Sequence, residues 1–225
     1  MSTGLMVALD IDDTQEAVTL AGELGDRVAA FKVGSQLYAR GGSVVIDAIR
    51  NAGGEVFLDL KFHDIPNTVR KAVESIADRG IAFFTVHASG GSEMIRAAKE
   101  AAGDARVLAV TVLTSLNSDD AAQIGFSQPL EKQVLRLARL AWDSGADGIV
   151  CSPLEVSKLR GALDDDCILV TPGIRPAGSA SDDQARIATP AEAARSGADY
   201  IVVGRPIVRA EDRIAAVNSI LSELS

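Results

Sequence analysis

Short apolar runs alternate with longer amphipathic stretches along the whole chain. The apolar runs lie at 5–11, 29–34, 55–61, 82–88, 106–113, 148–152, 167–174 and 200–206. They are of strand length and nearly continuous, the pattern of parallel strands covered by helices. The stretches between them place apolar residues at helical spacing, at 14–24, 43–53, 68–80, 92–103, 131–145, 153–163, 189–197 and 211–224. Gly53, Gly80, Gly103 and Gly197 stand where helix-ending glycines belong. Ser144-Gly145-Ala146-Asp147 and Ser196-Gly197-Ala198-Asp199 each precede a strand, so one helix-to-strand turn is used twice. Eight strand–helix units in 225 residues fit an α/β fold of one domain spanning 1–225, a closed (β/α)8 TIM barrel. A doubly wound open sheet would call for a Gly-rich turn after the first strand. That strand ends ALDIDD instead.

The run EVFLDLKFHDIPNT (55–68) begins as a strand and turns charged. Side chains of a strand alternate faces, so Val56, Leu58 and Leu60 point one way and Phe57, Asp59 and Lys61 the other. The second face starts apolar and ends ionic, which suits a strand whose far end opens into a site. Other strands do the same. Asp10, Lys32, His87, Thr114-Ser115, Pro172-Gly173-Ile174-Arg175 and Gly204-Arg205 all fall at carboxyl ends. In a (β/α)8 barrel that end carries the active site. Taken singly, each has a plainer reading. Asp10 could cap the helix starting near Asp12, Lys32 could snorkel, His87 could be structural, and Asp59–Lys61 could be an ordinary ion pair. A charge inside an apolar strand is costly unless paired or solvated, and the clustering argues for function. His63 reads as a supporting or surface residue. The loops after strands seven and eight, with Arg175, Gly204 and Arg205, match the phosphate site of this fold. The small-residue segment from Arg175 to Gln184 reads as a lid.

Lys and Arg number 22 against 31 Asp and Glu, a net charge of −9. That disfavours a nucleic-acid surface and leaves room for a local basic pocket. Cys151 and Cys167 lie in apolar runs and read as buried free thiols. With no secretory n-region and no apolar run near membrane length, a soluble cytoplasmic protein is expected, with no membrane partner.

DLKFHDIPNTV (59–69) resembles the motif of the orotidine 5′-monophosphate decarboxylase family, supported by ALDIDD (8–13), FKVG (31–34), VHASGG (86–91), VTVLTS (110–115), TPGIRP (171–176), Gln184 and VVGRPI (202–207). The Asp-x-Lys-x-x-Asp core is shared with magnesium-dependent sugar-phosphate decarboxylases and synthases. Those relatives carry a glutamate where this chain has Lys32, and lack the Ile65-Pro66 that follows Asp64. The resemblance implies decarboxylation of orotidine 5′-monophosphate to uridine 5′-monophosphate, with the magnesium-dependent chemistry as the alternative. It implies a tetrad of Lys32, Asp59, Lys61 and Asp64, in which Lys61 protonates C6 and Asp59 lies beside the scissile carboxylate. Asp10 and Lys32 would hold ribose hydroxyls, Thr114 and Ser115 would meet the pyrimidine, and Pro172, Arg175, Gln184, Gly204 and Arg205 would surround the phosphate. Asp64, Ile65 and Thr68 would reach a partner subunit's site, making a homodimer. No metal and no cofactor is implied.

Two further readings compete. In a Schiff-base aldolase Lys61 would be the nucleophile, but flanking carboxylates suit a lysine that carries a proton. A non-catalytic phosphate sensor has no use for a Lys–Asp array.

Overall fold

The structure is a computed structural model and describes residues 3–176 and 187–224. Eight parallel strands close into a barrel in chain order: β1 (Gly4–Ala8), β2 (Ala30–Gly34), β3 (Val56–Phe62), β4 (Phe83–His87), β5 (Arg106–Val110), β6 (Gly148–Val150), β7 (Ile168–Thr171) and β8 (Tyr200–Val203). Closure is made by β8 on β1, with Leu5 opposite Ile201 and Val7 opposite Val203. All eight expected strands are present. Several end earlier than expected, and residues beyond them such as Asp10, Thr114, Pro172 and Gly204 line the mouth.

The helices are α1 (Thr14–Leu24), α2 (Ser35–Asn51), α3 (Pro66–Ala77), α4 (Ser92–Ala101), α5 (Ser118–Gln123), α6 (Leu130–Asp143), α7 (Val156–Arg160), α8 (Pro190–Arg195), α9 (Arg205–Val208) and α10 (Arg213–Glu223). Two departures from the sequence pattern stand out. Helix α2 begins at Ser35, not at 43, and kinks at Gly42, whose φ of 56° and ψ of −150° are non-helical. Helix α5 was not expected; it is held by a capping box in which the Asn117 side chain and Asp120 serve each other's backbone N–H groups.

Alternation along the strands sorts two cores. Met6, Ala8, Ala30, Phe57, Phe83, Leu108, Val170 and Val202 pack inside the barrel. Leu5, Val7, Val56, Leu58, Phe84, Val86 and their neighbours pack outward under the helices. Phe83 bridges the inner layer, edge-on to Phe57 at 6.1 Å and to Tyr200 at 5.4 Å. Cys151 and Cys167 are free and buried, and burial pushes the Cys167 thiol up to about 12.

The repeated Ser-Gly-Ala-Asp turn has a structural cause. Gly145 and Gly197 both sit at positive φ, 92° and 95°. The aspartate that follows each then binds a neighbouring strand. Asp147 accepts the Val107 N–H at 2.8 Å and Lys99 Nζ at 2.7 Å, and Asp199 accepts the Leu169 N–H at 2.7 Å and the Arg160 guanidinium. These turns fasten the end of the barrel opposite the mouth.

Gly148, at the start of β6, leaves no room for a side chain: a Cβ there would lie 2.3 Å from the Ile168 carbonyl oxygen and 2.9 Å from Leu108 Cδ2. Gly148→Ala is expected to destabilise the barrel by about 1–3 kcal/mol. A urea unfolding curve should show the midpoint falling, and an unchanged midpoint would contradict the account of this contact.

Candidate active site

The carboxyl ends of the strands open on a cavity of about 500 Å³. Its floor is the top of the inner core, with Ala8, Phe57, Val150 and Val202. Its charged wall is Asp10, Lys32, Asp59 and Lys61; Pro172, Gly173 and Arg175 line it from the loop after β7, and Gly204 and Arg205 from the start of α9.

Lys32, in β2, reaches two carboxylates. Its Nζ donates to Asp10 at 2.9 Å and lies 3.6 Å from Asp59. Asp10 is free for this because Asp13 caps α1, accepting the Gln15 and Glu16 N–H groups at 2.8 and 3.3 Å; the capping reading of Asp10 is thereby replaced. Gly34 keeps the corner open, since a Cβ there would stand 3.0 Å from Lys32 Nζ. Lys61 Nζ donates to both oxygens of Asp59 at 2.9 Å. The Asp59 side chain is 12% exposed, so these charges meet in a largely dry setting. Burial alone would raise the Asp59 carboxyl. Lys32, Lys61 and hydrogen bonds from Lys61 and Thr85 outweigh it and hold the group below the usual carboxylate range.

Lys61 has a backbone feature that alternation could not reveal. Its φ is 53°, and it is the non-glycine residue with positive φ among those described. Such a conformation costs on the order of 1–3 kcal/mol and persists where surrounding contacts enforce it. The Thr85 hydroxyl, fully buried in β4, contacts this segment: it accepts the Lys61 N–H and donates to Asp59 Oδ1, both at 2.9 Å.

Three members of the expected tetrad, Lys32, Asp59 and Lys61, therefore converge. Asp64 does not join them within the chain. Its carboxylate accepts the Ile65 N–H at 2.6 Å, and residues 63–68 are exposed, Thr68 among them. Asp64 and Ile65 line a separate shallow pocket with His63 and Gly90. Thr114 lines the main cavity, whereas Ser115, exposed in the turn that follows, does not. Gln184 and most of the expected lid lie outside the described residues. Arg175 is 9% exposed; its Nη1 donates to the Ile174 carbonyl at 2.9 Å, and its Nε is buried with no hydrogen-bond partner among the described residues. Gln36 and Arg209 also line the cavity, and the sequence pattern did not single them out. Both sit on helix starts or ends where nothing in spacing distinguishes them from surface residues.

His87 ends β4 with its ring 5.3 Å from that of His63. Burial, then His63 and Lys61, push its pKa down against the opposing pull of Asp59. That direction favours the neutral imidazole of His87 beside the charged wall.

Comparison with known proteins agrees with this geometry. The sequence model described as "Orotidine 5'-phosphate decarboxylase / HUMPS family" matches residues 3–220. A protein of Anaeromyxobacter sp. (strain K) named orotidine 5'-phosphate decarboxylase is 50% identical over 224 residues, covering 99% of both chains. One of Thermobifida fusca with the same name is 48% identical, covering 100% of this chain and 97% of that protein. The crystal structure of orotidine 5'-phosphate decarboxylase from Lactobacillus acidophilus matches with a TM-score of 0.88 at 43% identity, covering 99% of each chain. With the barrel, the charged wall of its mouth and matches across nearly its full length, the chain belongs to the orotidine 5'-phosphate decarboxylase / HUMPS family.

Proposed function

We propose that this protein decarboxylates orotidine 5′-monophosphate to uridine 5′-monophosphate, the last step of de novo pyrimidine nucleotide synthesis, in the cytoplasm. The observation that carries the reading is the Lys32–Asp59–Lys61 array, with Arg175 and Arg205 lining the same cavity. The magnesium-dependent alternative is disfavoured by Lys32, whose ammonium fills the corner between Asp10 and Asp59 and would repel a divalent cation.

The chemistry follows from the charges. Loss of carbon dioxide breaks the C6–carboxyl bond and leaves the electron pair on C6. The Lys61 ammonium stabilises that carbanion and delivers the proton that forms the C6–H bond. Ionised Asp59 repels the substrate carboxylate, and the repulsion ends as the group leaves. Two like charges ~4 Å apart cost about 4 kcal/mol at an effective dielectric of about 20. Very slow reactions need roughly 20 kcal/mol of acceleration. Carbanion stabilisation by Lys61 and binding energy from the distant phosphate therefore carry most of the effect. The phosphate is assigned to Arg175 and Arg205, and a phosphate oxygen would satisfy the buried Arg175 Nε that otherwise lacks a partner among the described residues. Asp10 and Lys32 are assigned to the ribose hydroxyls.

The dimer is part of the proposal. Asp64, Ile65 and Thr68 are exposed and outside their own cavity, and Ile65 is 66% exposed. Ile65 precedes Pro66 and is extended, with φ −59° and ψ 150°. Such a segment suits reaching a partner's mouth across a two-fold interface.

Three tests follow. Purified, metal-free protein should consume orotidine 5′-monophosphate, followed by absorbance, and Lys61→Ala should abolish turnover while substrate still binds. Turnover confined to added magnesium would favour the alternative, and Lys61→Ala activity within about tenfold of the parent, ~1.4 kcal/mol in barrier, would remove Lys61 as proton donor. The Asp59 carboxyl, held below the ordinary aspartate value of 3.8, should stay ionised as pH falls from 7 to that value. The stability it contributes is present above 3.8 and is lost as pH falls through its lower folded value. Carboxyl-carbon NMR would read this, and a midpoint at or above 3.8 would contradict the charge array. Mixing inactive Lys61→Ala and Asp64→Ala chains under subunit exchange should restore activity at one site per mixed dimer; silence after verified exchange would show that Asp64 does not act in trans.

A further inference from the structure

The pairing of β3 with β4 breaks where the chemistry sits. Phe57 faces Phe83 and Leu58 faces Phe84, and pairing resumes at Phe62 with Val86. Between those points β3 advances four residues, from Leu58 to Phe62, while β4 advances two, from Phe84 to Val86. The surplus on β3 contains Asp59 and Lys61, and the left-handed backbone of Lys61 absorbs part of it. A bulge of this kind re-aims side chains, and it needs something to hold its irregular backbone.

Thr85 is the β4 residue spanned by the break. It lies on the inward face between Phe83 and His87, and its hydroxyl makes two bonds at once, accepting the Lys61 N–H and donating to Asp59 Oδ1, each at 2.9 Å. A hydroxyl is suited to this because it both donates and accepts. Threonine's branched Cβ stiffens its rotamer, and full burial keeps water from competing.

We infer that Thr85 is a positioning residue for the proposed reaction: one hydroxyl ties the Lys61 backbone to the Asp59 carboxylate and so sets the ammonium and the carboxylate relative to each other. Thr85 itself does not line the cavity and has no expected contact with substrate. Its loss should therefore act on the chemical step rather than on binding, which rests on the arginines across the cavity.

The inference depends on the decarboxylase reading, and the experiment separates the two. Thr85→Val keeps the shape and removes the hydroxyl, and Thr85→Ser keeps the hydroxyl. With orotidine 5′-monophosphate, Thr85→Val should lose kcat on the order of 100-fold, the effect of a small misplacement of a reacting group. KM should be little changed, and Thr85→Ser should recover most of the loss. Parent-like kcat in Thr85→Val, a Thr85→Ser variant as impaired as Thr85→Val, or a loss carried by KM would assign Thr85 to packing and overturn the inference. Thr85→Ala replaces Thr85→Val if the latter does not fold. Crystal structures of the parent and the hydroxyl-free variant decide the matter without activity. Lys61 should leave its left-handed conformation or lose its contact with Asp59, and an unchanged Lys61 would overturn the inference. A parent that does not consume the substrate would sink the functional reading and leave this structural outcome standing.

Discussion

Everything at the mouth of this barrel depends on one carboxylate kept ionised in a nearly dry place. Asp59 is largely buried, and burial by itself would raise its pKa. Lys32 on one side and Lys61 on the other reverse that outcome. The consequence runs in both directions. The carboxylate fixes two ammonium groups on the wall of the cavity, and the ammonium groups keep the carboxylate charged. Removing Asp59 would take from Lys61 the carboxylate it binds and leave Lys32 with Asp10 alone.

The fold supplies this arrangement through strand geometry. Alternation sends Phe57 and Asp59 to the inside of β3, with the aromatic ring forming the floor and the carboxylate the wall. The adjacent strand β2 brings Lys32 to the same level, and the loop after β1 adds Asp10. On the far side, the loops after β7 and β8 bring Arg175 and Arg205 to a shared cavity. In the proposed reading, a molecule with a carboxylate at one end and a phosphate at the other meets cations at both ends and one anion beside its reacting group. The left-handed backbone of Lys61 is the strained element in this arrangement, and the buried Thr85 hydroxyl on the next strand accepts its N–H.

Much of this is legible in the sequence because the signals are local. Near-continuous apolar runs gave the strands, the paired Ser-Gly-Ala-Asp turns revealed the repeated unit, and period-two alternation placed Asp59 and Lys61 on the cavity side. What stayed hidden depends on pairing between distant segments. The register break opposite Thr85 has no signature in either strand alone, so the threonine reads as an ordinary buried β-former. Asp10 and Asp13 are both acids ahead of a helix, and backbone geometry decides which one caps it. The first half of α2 escaped notice because Gly41 and Gly42 break its pattern, and α5 because it is short and rests on a capping box rather than on an apolar stripe.

The central claim is that the Lys61 ammonium is the group that meets C6 of the pyrimidine. A crystal structure with uridine 5′-monophosphate bound tests it most directly. The account requires Lys61 Nζ within about 3 Å of C6, at hydrogen-bonding reach, with the phosphate on Arg175 and Arg205. A pyrimidine ring seated away from Lys61, or a phosphate bound elsewhere than between those arginines, would contradict it.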